Sequence, residues 1–186
     1  MKMSRKTHTT ALVLIPPEEI WPPIQAIRRK HDKQLRRWMP HLTLMYPFRP
    51  KDEFGYLSAE FSKLCEKIAP FQVMFRQFSF FEHGHENYTI WLAPSPKDPL
   101  VSLQETLLSI VPECDDVNRF AGGFVPHLSV GQVRGKTQSN RVRKELQDAW
   151  QPLSFIVREI SLIWRDTPPD DIFQVRSRVE LKRHKA

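Results

Sequence analysis

The sequence predicts an α+β fold built as two related lobes, and three observations predict it. Segments with two-residue apolar alternation are interleaved with segments of three- and four-residue spacing. Their order is strand, helix, strand, helix, strand, strand, and then helix, strand, helix, strand, strand. One phrase recurs in both halves: Pro40-His41-Leu42-Thr43-Leu44 returns as Pro126-His127-Leu128-Ser129-Val130, 86 residues later. Hydrophobic residues make up 40% of the 186 and aromatics 11%, enough for a sizeable core in one domain spanning 1–186.

Thr9 to Ile15 is β-branched and aliphatic and reads as a strand that Pro16-Pro17 ends. Ile20, Ile24, Ile27, His31 and Leu35 share one face of a helix, and Pro22 and Pro23 fit only its first turn. The first copy of the phrase lies on a strand from about Met39 to Tyr46. Leu57, Phe61, Leu64 and Ile68 mark a second helix. Phe71 to Phe81 and Tyr88 to Ala93 form two strands joined by the turn 82–87. The proline-rich stretch Pro94 to Pro99 is read as the joint between lobes. Leu100, Leu103, Leu107 and Val111 give a third helix, and 115–123 is a loop with paired glycines. The second copy lies on a strand from about Val125 to Val133. Val142, Leu146 and Trp150 mark a fourth helix, followed by one strand from Leu153 to Trp164. A last half-buried strand carries Phe173, Val175, Val179 and Leu181 on one face. The sheets are expected to be mixed or antiparallel, and the termini, 1–8 and 182–186, to be frayed.

Lys and Arg number 28 against 21 Asp and Glu, a net charge of +7 that suits a polyanionic partner or an ordinary basic surface. Cys65 and Cys114 form no CxxC pair, so zinc ribbons and dithiol redox motifs have no support. Reduced thiols fit a cytoplasmic or nuclear protein. The apolar run Ala11 to Ile15 is too short for a signal peptide or a membrane span.

The repeated phrase carries the chemistry. On a strand, alternate side chains share a face, so His41 pairs with Thr43 and His127 with Ser129, while Leu42, Leu44, Leu128 and Val130 face the core. If the two strands lie side by side, two imidazoles and two hydroxyls converge. Imidazoles exchange protons near neutral pH and hydroxyls donate to anionic oxygens, which suits phosphoryl transfer.

The doubled histidine–x–Thr/Ser phrase resembles that of the 2H (two-histidine) phosphoesterase superfamily, and the surrounding element order is similar over most of the chain. The stretch from Arg37-Trp38 through Pro47-Phe48 looks most like the 2′-5′ RNA ligase-like branch. The resemblance implies a bilobal, pseudo-twofold fold in which two sheets flank a central cleft with helices outside. It implies metal-independent attack on RNA ends, 2′,3′-cyclic phosphates or 2′-5′ phosphodiesters, reversible as ligation, with no metal or organic cofactor. Its site residues would be His41 and His127 as the acid–base pair and Thr43 and Ser129 as phosphate donors. For hydrolysis His127 is read as base and His41 as acid, an order the sequence does not fix.

Tyr46, Phe48, Phe124 and Trp164 lie near motif ends or an expected cleft edge and are candidate base-stacking residues, with core packing as the alternative. Arg165 and Arg176 are candidate phosphate contacts, and Arg36-Arg37 a candidate basic rim. The substrate partner is RNA or a small cyclic or 2′-5′ nucleotide. No membrane partner is expected, no protein partner is identified, and the chain is read as a monomer. Rival readings are weaker. His83-Gly84-His85 between Glu82 and Glu86 could bind a transition metal but sits in a short hairpin turn. His31-Asp32 matches a metal-dependent motif only as a dipeptide. GxxxxGK[ST], GxGxxG and GxSxG are absent. A non-catalytic RNA-end-binding module, or a structural partner in an RNA-processing assembly, remains the alternative from another class.

Overall fold

Prolines and buried alternation set the frame of the computed structural model, which describes residues 5–119 and 122–182. The strand β1 (Thr10–Leu14) is buried throughout and ends before Pro16-Pro17. The helix α1 (Trp21–His31) holds Pro22 and Pro23 in its first turn, where their missing N–H groups cost nothing. It stops four residues earlier than its apolar spacing suggests. Asp32 leaves the helix in an extended conformation, and its Oδ1 accepts from the Gln34 backbone N–H at 2.8 Å, an Asx turn that displaces the helical ladder.

The remaining elements are β2 (Leu42–Met45), α2 (Phe54–Cys65), β3 (Phe71–His83), β4 (Asn87–Ser95), α3 (Asp98–Leu108), β5 (Leu128–Arg134), α4 (Lys136–Ala149), β6 (Leu153–Val157), β7 (Glu159–Trp164) and β8 (Gln174–Glu180). They form two four-stranded sheets, β2-β1-β7-β8 and β5-β4-β3-β6, in which every pairing is antiparallel. The α+β class expected from the sequence is the class observed. One core of buried side chains draws on both sheets and on α1 to α4. A smaller cluster, Ala11, Val13, Ile163 and Phe173, lines the other face of the first sheet.

The single strand expected over Leu153–Trp164 is two strands in different sheets, separated at Arg158. The residue pattern gives the reason. Phe155 and Val157 alternate with exposed Ser154 and Ile156, as on a sheet edge, whereas Ile160 to Ile163 are all buried, as in a central strand covered on both faces. The expected lobe joint at Pro94–Pro99 also shifts. It leads from β4 into α3 within the part of the chain that builds the second sheet. The chain changes sheets instead between β2 and β3 and again at Arg158, so each sheet draws on both halves. At the N-terminal end, Lys6 and Thr7 are tied down rather than frayed. The Lys6 ammonium bonds the Glu113 carbonyl at 2.6 Å and pairs with Asp116, and Thr7 exchanges both backbone hydrogen bonds with Phe48. Residues 1–4 and 183–186, also expected to fray, lie outside the described residues.

β2 and β5 are the facing edge strands of the two sheets and come into contact without pairing. The end of α1 packs on β5 through Gly131, where an added Cβ would stand 2.3 Å from His31 Cβ and 2.9 Å from the His31 carbonyl oxygen. Gly131→Ala is therefore expected to lower stability by about 1–3 kcal/mol, the usual cost of overpacking. Denaturant unfolding measures it, and an unchanged midpoint would contradict this close approach.

Candidate functional site

Both histidines stand just ahead of their strands, at the cleft where β2 and β5 meet. Pro40 and Pro126 have no N–H to offer a sheet ladder, so pairing begins one residue after each histidine. The carbonyl two residues back is then free. His41 Nδ1 donates to the Met39 carbonyl and His127 Nδ1 donates to the Val125 carbonyl, each at 2.7 Å. A carbonyl only accepts, so each neutral imidazole carries its proton on Nδ1 and keeps an unprotonated Nε2. The two copies of the phrase build the same local device.

Each ring rests on aromatic side chains. His41 stacks on Trp38 at 4.6 Å, and Trp38 in turn stacks on Phe173 at 3.8 Å. His127 meets Phe81 edge-on at 4.8 Å and Trp91 at 5.8 Å, and Phe81 and Trp91 stack on each other at 4.8 Å. The hydroxyls of Thr43 and Ser129 follow on the same faces, half-buried. Among the described residues neither has a hydrogen-bond partner.

Burial holds the His41 imidazolium pKa down to about 4. The charges of Arg28 and His127 push the same way, against the Met39 carbonyl and Asp32. Burial also lowers the pKa of His127, opposed by its bond to the Val125 carbonyl. Of the two rings, Arg28 bears on His41. It lies on α1, is 2% exposed, and donates from Nε to Asp32 Oδ2 at 2.7 Å and from Nη2 to the Trp38 carbonyl at 2.8 Å. Gln132 on β5 donates to Asp32 Oδ1 at 3.3 Å and accepts the Lys33 backbone N–H at 2.9 Å. A polar chain thus runs from β5 through Asp32 and Arg28 to the backbone that carries Trp38, Met39 and His41.

Of the aromatic candidates, Tyr46 stays with this group. Its ring meets Trp38 edge-on at 5.4 Å and its hydroxyl donates to the His8 carbonyl at 3.2 Å. Arg165 lies beside it, donating to the same His8 carbonyl at 3.2 Å with its guanidinium 5.5 Å from the Phe173 ring centre. Phe48 is a correction: it is fully buried in the main core against Phe54 and Phe61. Trp164 is another. It shares the core side of β7 with Ile160 and Leu162, and the Lys51 ammonium covers its ring at 3.4 Å. Phe124 packs half-buried on the same core. Arg176 lies in a separate depression with Lys51, Asp52 and Gly55. Arg36 and Arg37 both pair with the buried carboxylate of Asp171, which fastens the 165–173 segment to the residues before His41. His83 bonds Thr89 Oγ1 at 3.0 Å in the exposed hairpin. Among the described residues no cluster of three or more His, Cys, Asp or Glu is placed to hold a metal. None of their helices is long and apolar enough to cross a membrane.

Sequence reasoning missed Trp38, Phe81, Trp91, Arg28, Asp32 and Gln132. Trp38 had a local signal, its place three residues before His41. Phe81 and Trp91 needed the strand register, which sets Trp91 opposite Ser129.

Comparison with known proteins addresses the family and the fold. The model of the 2′-5′ RNA ligase superfamily matches residues 16–169. A Geobacillus kaustophilus protein named "Putative phosphoesterase" is 29% identical over 126 residues, 65% of this chain and 67% of its own length. A Staphylococcus haemolyticus protein with the same description is 24% identical over 86% of this chain and 91% of its own. Among solved structures, Escherichia coli LigT in complex with 3′-AMP superposes with a TM-score of 0.63 at 18% identity, covering 96% of this chain and all of LigT. TT0787 of Thermus thermophilus gives 0.62 at 21% identity, covering 93% of this chain and 97% of its own. These likenesses are of fold.

Proposed function

The chain belongs to the 2′-5′ RNA ligase superfamily, of the two-histidine phosphoesterase type, and from that premise we propose that its cleft is a phosphoesterase site for RNA ends and 2′,3′-cyclic or 2′-5′ phosphodiesters. The reaction proceeds by histidine acid–base catalysis without a metal. The observation that carries this reading is the matched pair of anchored imidazoles beside two hydroxyls with no partner among the described residues.

In hydrolysis of a cyclic end, one Nε2 takes a proton from water as the water oxygen bonds to phosphorus. The phosphorus bond to one ribose oxygen breaks, and that oxygen receives a proton from the other Nε2. Run in reverse with a ribose hydroxyl as nucleophile, the same groups ligate. Thr43 and Ser129 donate to the non-bridging oxygens. The electrostatics favour an order opposite to the one read from the sequence. His41, held neutral by burial and by Arg28, suits the base, which leaves the acid to His127.

A short RNA ending in a 2′,3′-cyclic phosphate, incubated with EDTA, tests the proposal. The wild type is expected to open the ring and the His41→Ala/His127→Ala variant to leave it closed. Thr43→Val and Ser129→Ala are each expected to lower kcat by about 10²–10³-fold, the usual loss of a preorganised donor. If the wild type binds RNA but turns over neither cyclic ends nor 2′-5′ linkages, the cleft is a binding module instead.

A further inference from the structure

A basic depression lies outside the histidine cleft. A cavity of about 390 Å³ opens at the free edge of β5, between the end of α1 and the start of α4. Arg29, Lys30, Lys33 and Arg134 surround it, all exposed. Among the described residues no carboxylate pairs with any of these four, whereas Arg28, Arg36, Arg37, Arg49, Arg119 and Arg141 all have acidic partners. The carboxylate that lines the cavity, Asp32, is already engaged by Arg28 and by the side chain of Gln132.

Two of the cavity's lining residues, Gln132 and Arg134, lie on the same face of β5 as Ser129. Directly opposed residues share a face, so the cleft side of the second sheet carries three successive rows. These are Ser79–Trp91–Ser129, then Phe81–Thr89–Gln132, then His83–Asn87–Arg134. His127 touches the first two rows through Trp91 and Phe81. From the Ser129 row to the Arg134 row the sheet advances about 13 Å, four residues of β4 at about 3.3 Å each, because β5 carries a bulge between them. Charge along such a path fits a chain of phosphates leading away from the reacting end.

We infer that this basic cavity holds the phosphodiester backbone of a single-stranded RNA whose terminus lies in the cleft, so that the preferred substrate is a polynucleotide. The inference rests on the reading of the cleft as an RNA-end phosphoesterase. The basic residues continue from one sheet face that also carries Ser129, a linear path that fits a flexible strand better than a flat bilayer surface.

The test compares a dinucleotide with an RNA of about twelve nucleotides, both ending in a 2′,3′-cyclic phosphate, on the wild type and on Arg29→Gln/Lys30→Gln/Lys33→Gln/Arg134→Gln. In the wild type the longer RNA is expected to have a KM lower by about tenfold or more. In the variant that advantage disappears, while kcat and the dinucleotide KM are kept. The slope of log K against log salt for the longer RNA is expected to flatten by about 3, at about 0.7 for each phosphate that is no longer neutralised. A wild type with no length preference, or a variant that keeps it, would overturn the inference. So would variant-sensitive binding to phosphatidylserine vesicles or to an acidic peptide with RNA binding unchanged. Equilibrium binding of the longer RNA to the His41→Ala/His127→Ala protein, with and without the four glutamines, separates the two readings. Salt-sensitive binding that the glutamines abolish, in a protein whose wild type turns over nothing, would sink the phosphoesterase and keep the strand site. Turnover indifferent to the glutamines would do the reverse.

Discussion

His41→Ala and His127→Ala are each expected to lower kcat/KM by about 10²–10⁴-fold, the range for a positioned proton-transfer group, with the fold retained. The pH dependence is the sharper result. A base must be neutral, and the neutral fraction of His41 rises with pH through about 4. An acid must be protonated, and the protonated fraction of His127 falls as pH rises through a value held below the usual 6.5 by burial. kcat/KM reports the free enzyme, so it should follow a bell with one limb, set by His41, near pH 4 and the other, set by His127, below pH 6.5. The kcat profile reports the complex. There the anionic phosphate favours both imidazolium forms, and the bell should move to higher pH. A profile of kcat/KM that is flat from pH 4 to 7 would remove the histidines as the titrating pair, as would full activity in either alanine variant.

Arg28→Ala is expected to be the most destabilising single change near the cleft, at about 3–5 kcal/mol, because it leaves the Asp32 carboxylate buried without its cation. It also frees the Trp38 carbonyl, one residue before the carbonyl that anchors His41. Arg28 therefore acts as a positioning residue. Arg28→Met/Asp32→Leu separates its two effects. Removing both charges should recover much of the stability, since well-packed apolar pairs often replace buried ion pairs without loss. It should also raise the His41 pKa, because Arg28 is the larger of the two opposing charges acting on that ring. The limb of kcat/KM set by His41 would then move upward from about 4. A double variant as unstable as Arg28→Ala, with an unmoved His41 limb, would argue against this role.

The histidines, the hydroxyls and their strands were legible because the phrase is doubled. One copy is a common accident, whereas two copies at matching places in the element order constrain each other. The supporting residues were not legible, for a physical reason. Trp38 meets His41 only because Asp32 ends α1 early and Arg28 fixes the turn that follows. Phe81 and Trp91 meet His127 through register in a sheet, and register depends on partners far along the chain. Phe48 and Trp164 misled for a related reason. An aromatic side chain near a motif serves a core or a cleft equally well, and which one depends on the face it takes. The strand break at Arg158 could have been read from the change between alternating and continuous apolar residues, a two-residue signal beside a long hydrophobic run.

The return of β7 and β8 to the sheet begun by β1 and β2 has a consequence for biosynthesis. β1 is hydrogen-bonded to β2 on one side and to β7 on the other, a partner that leaves the ribosome last but one among the strands. Until then the first sheet is a bare pair of strands linked through α1, and an isolated two-stranded pair is marginal in water. The two histidine phrases are both translated by residue 130, yet the platform under His41 includes Phe173 and Arg37 is fastened by Asp171. A nascent chain that has made both phrases therefore has no finished cleft. Loop closure over such separations is slow compared with local pairing, so the second sheet is free to form first and wait for the other. The protein would acquire its chemistry in one late step, when the last strands dock, rather than one lobe at a time.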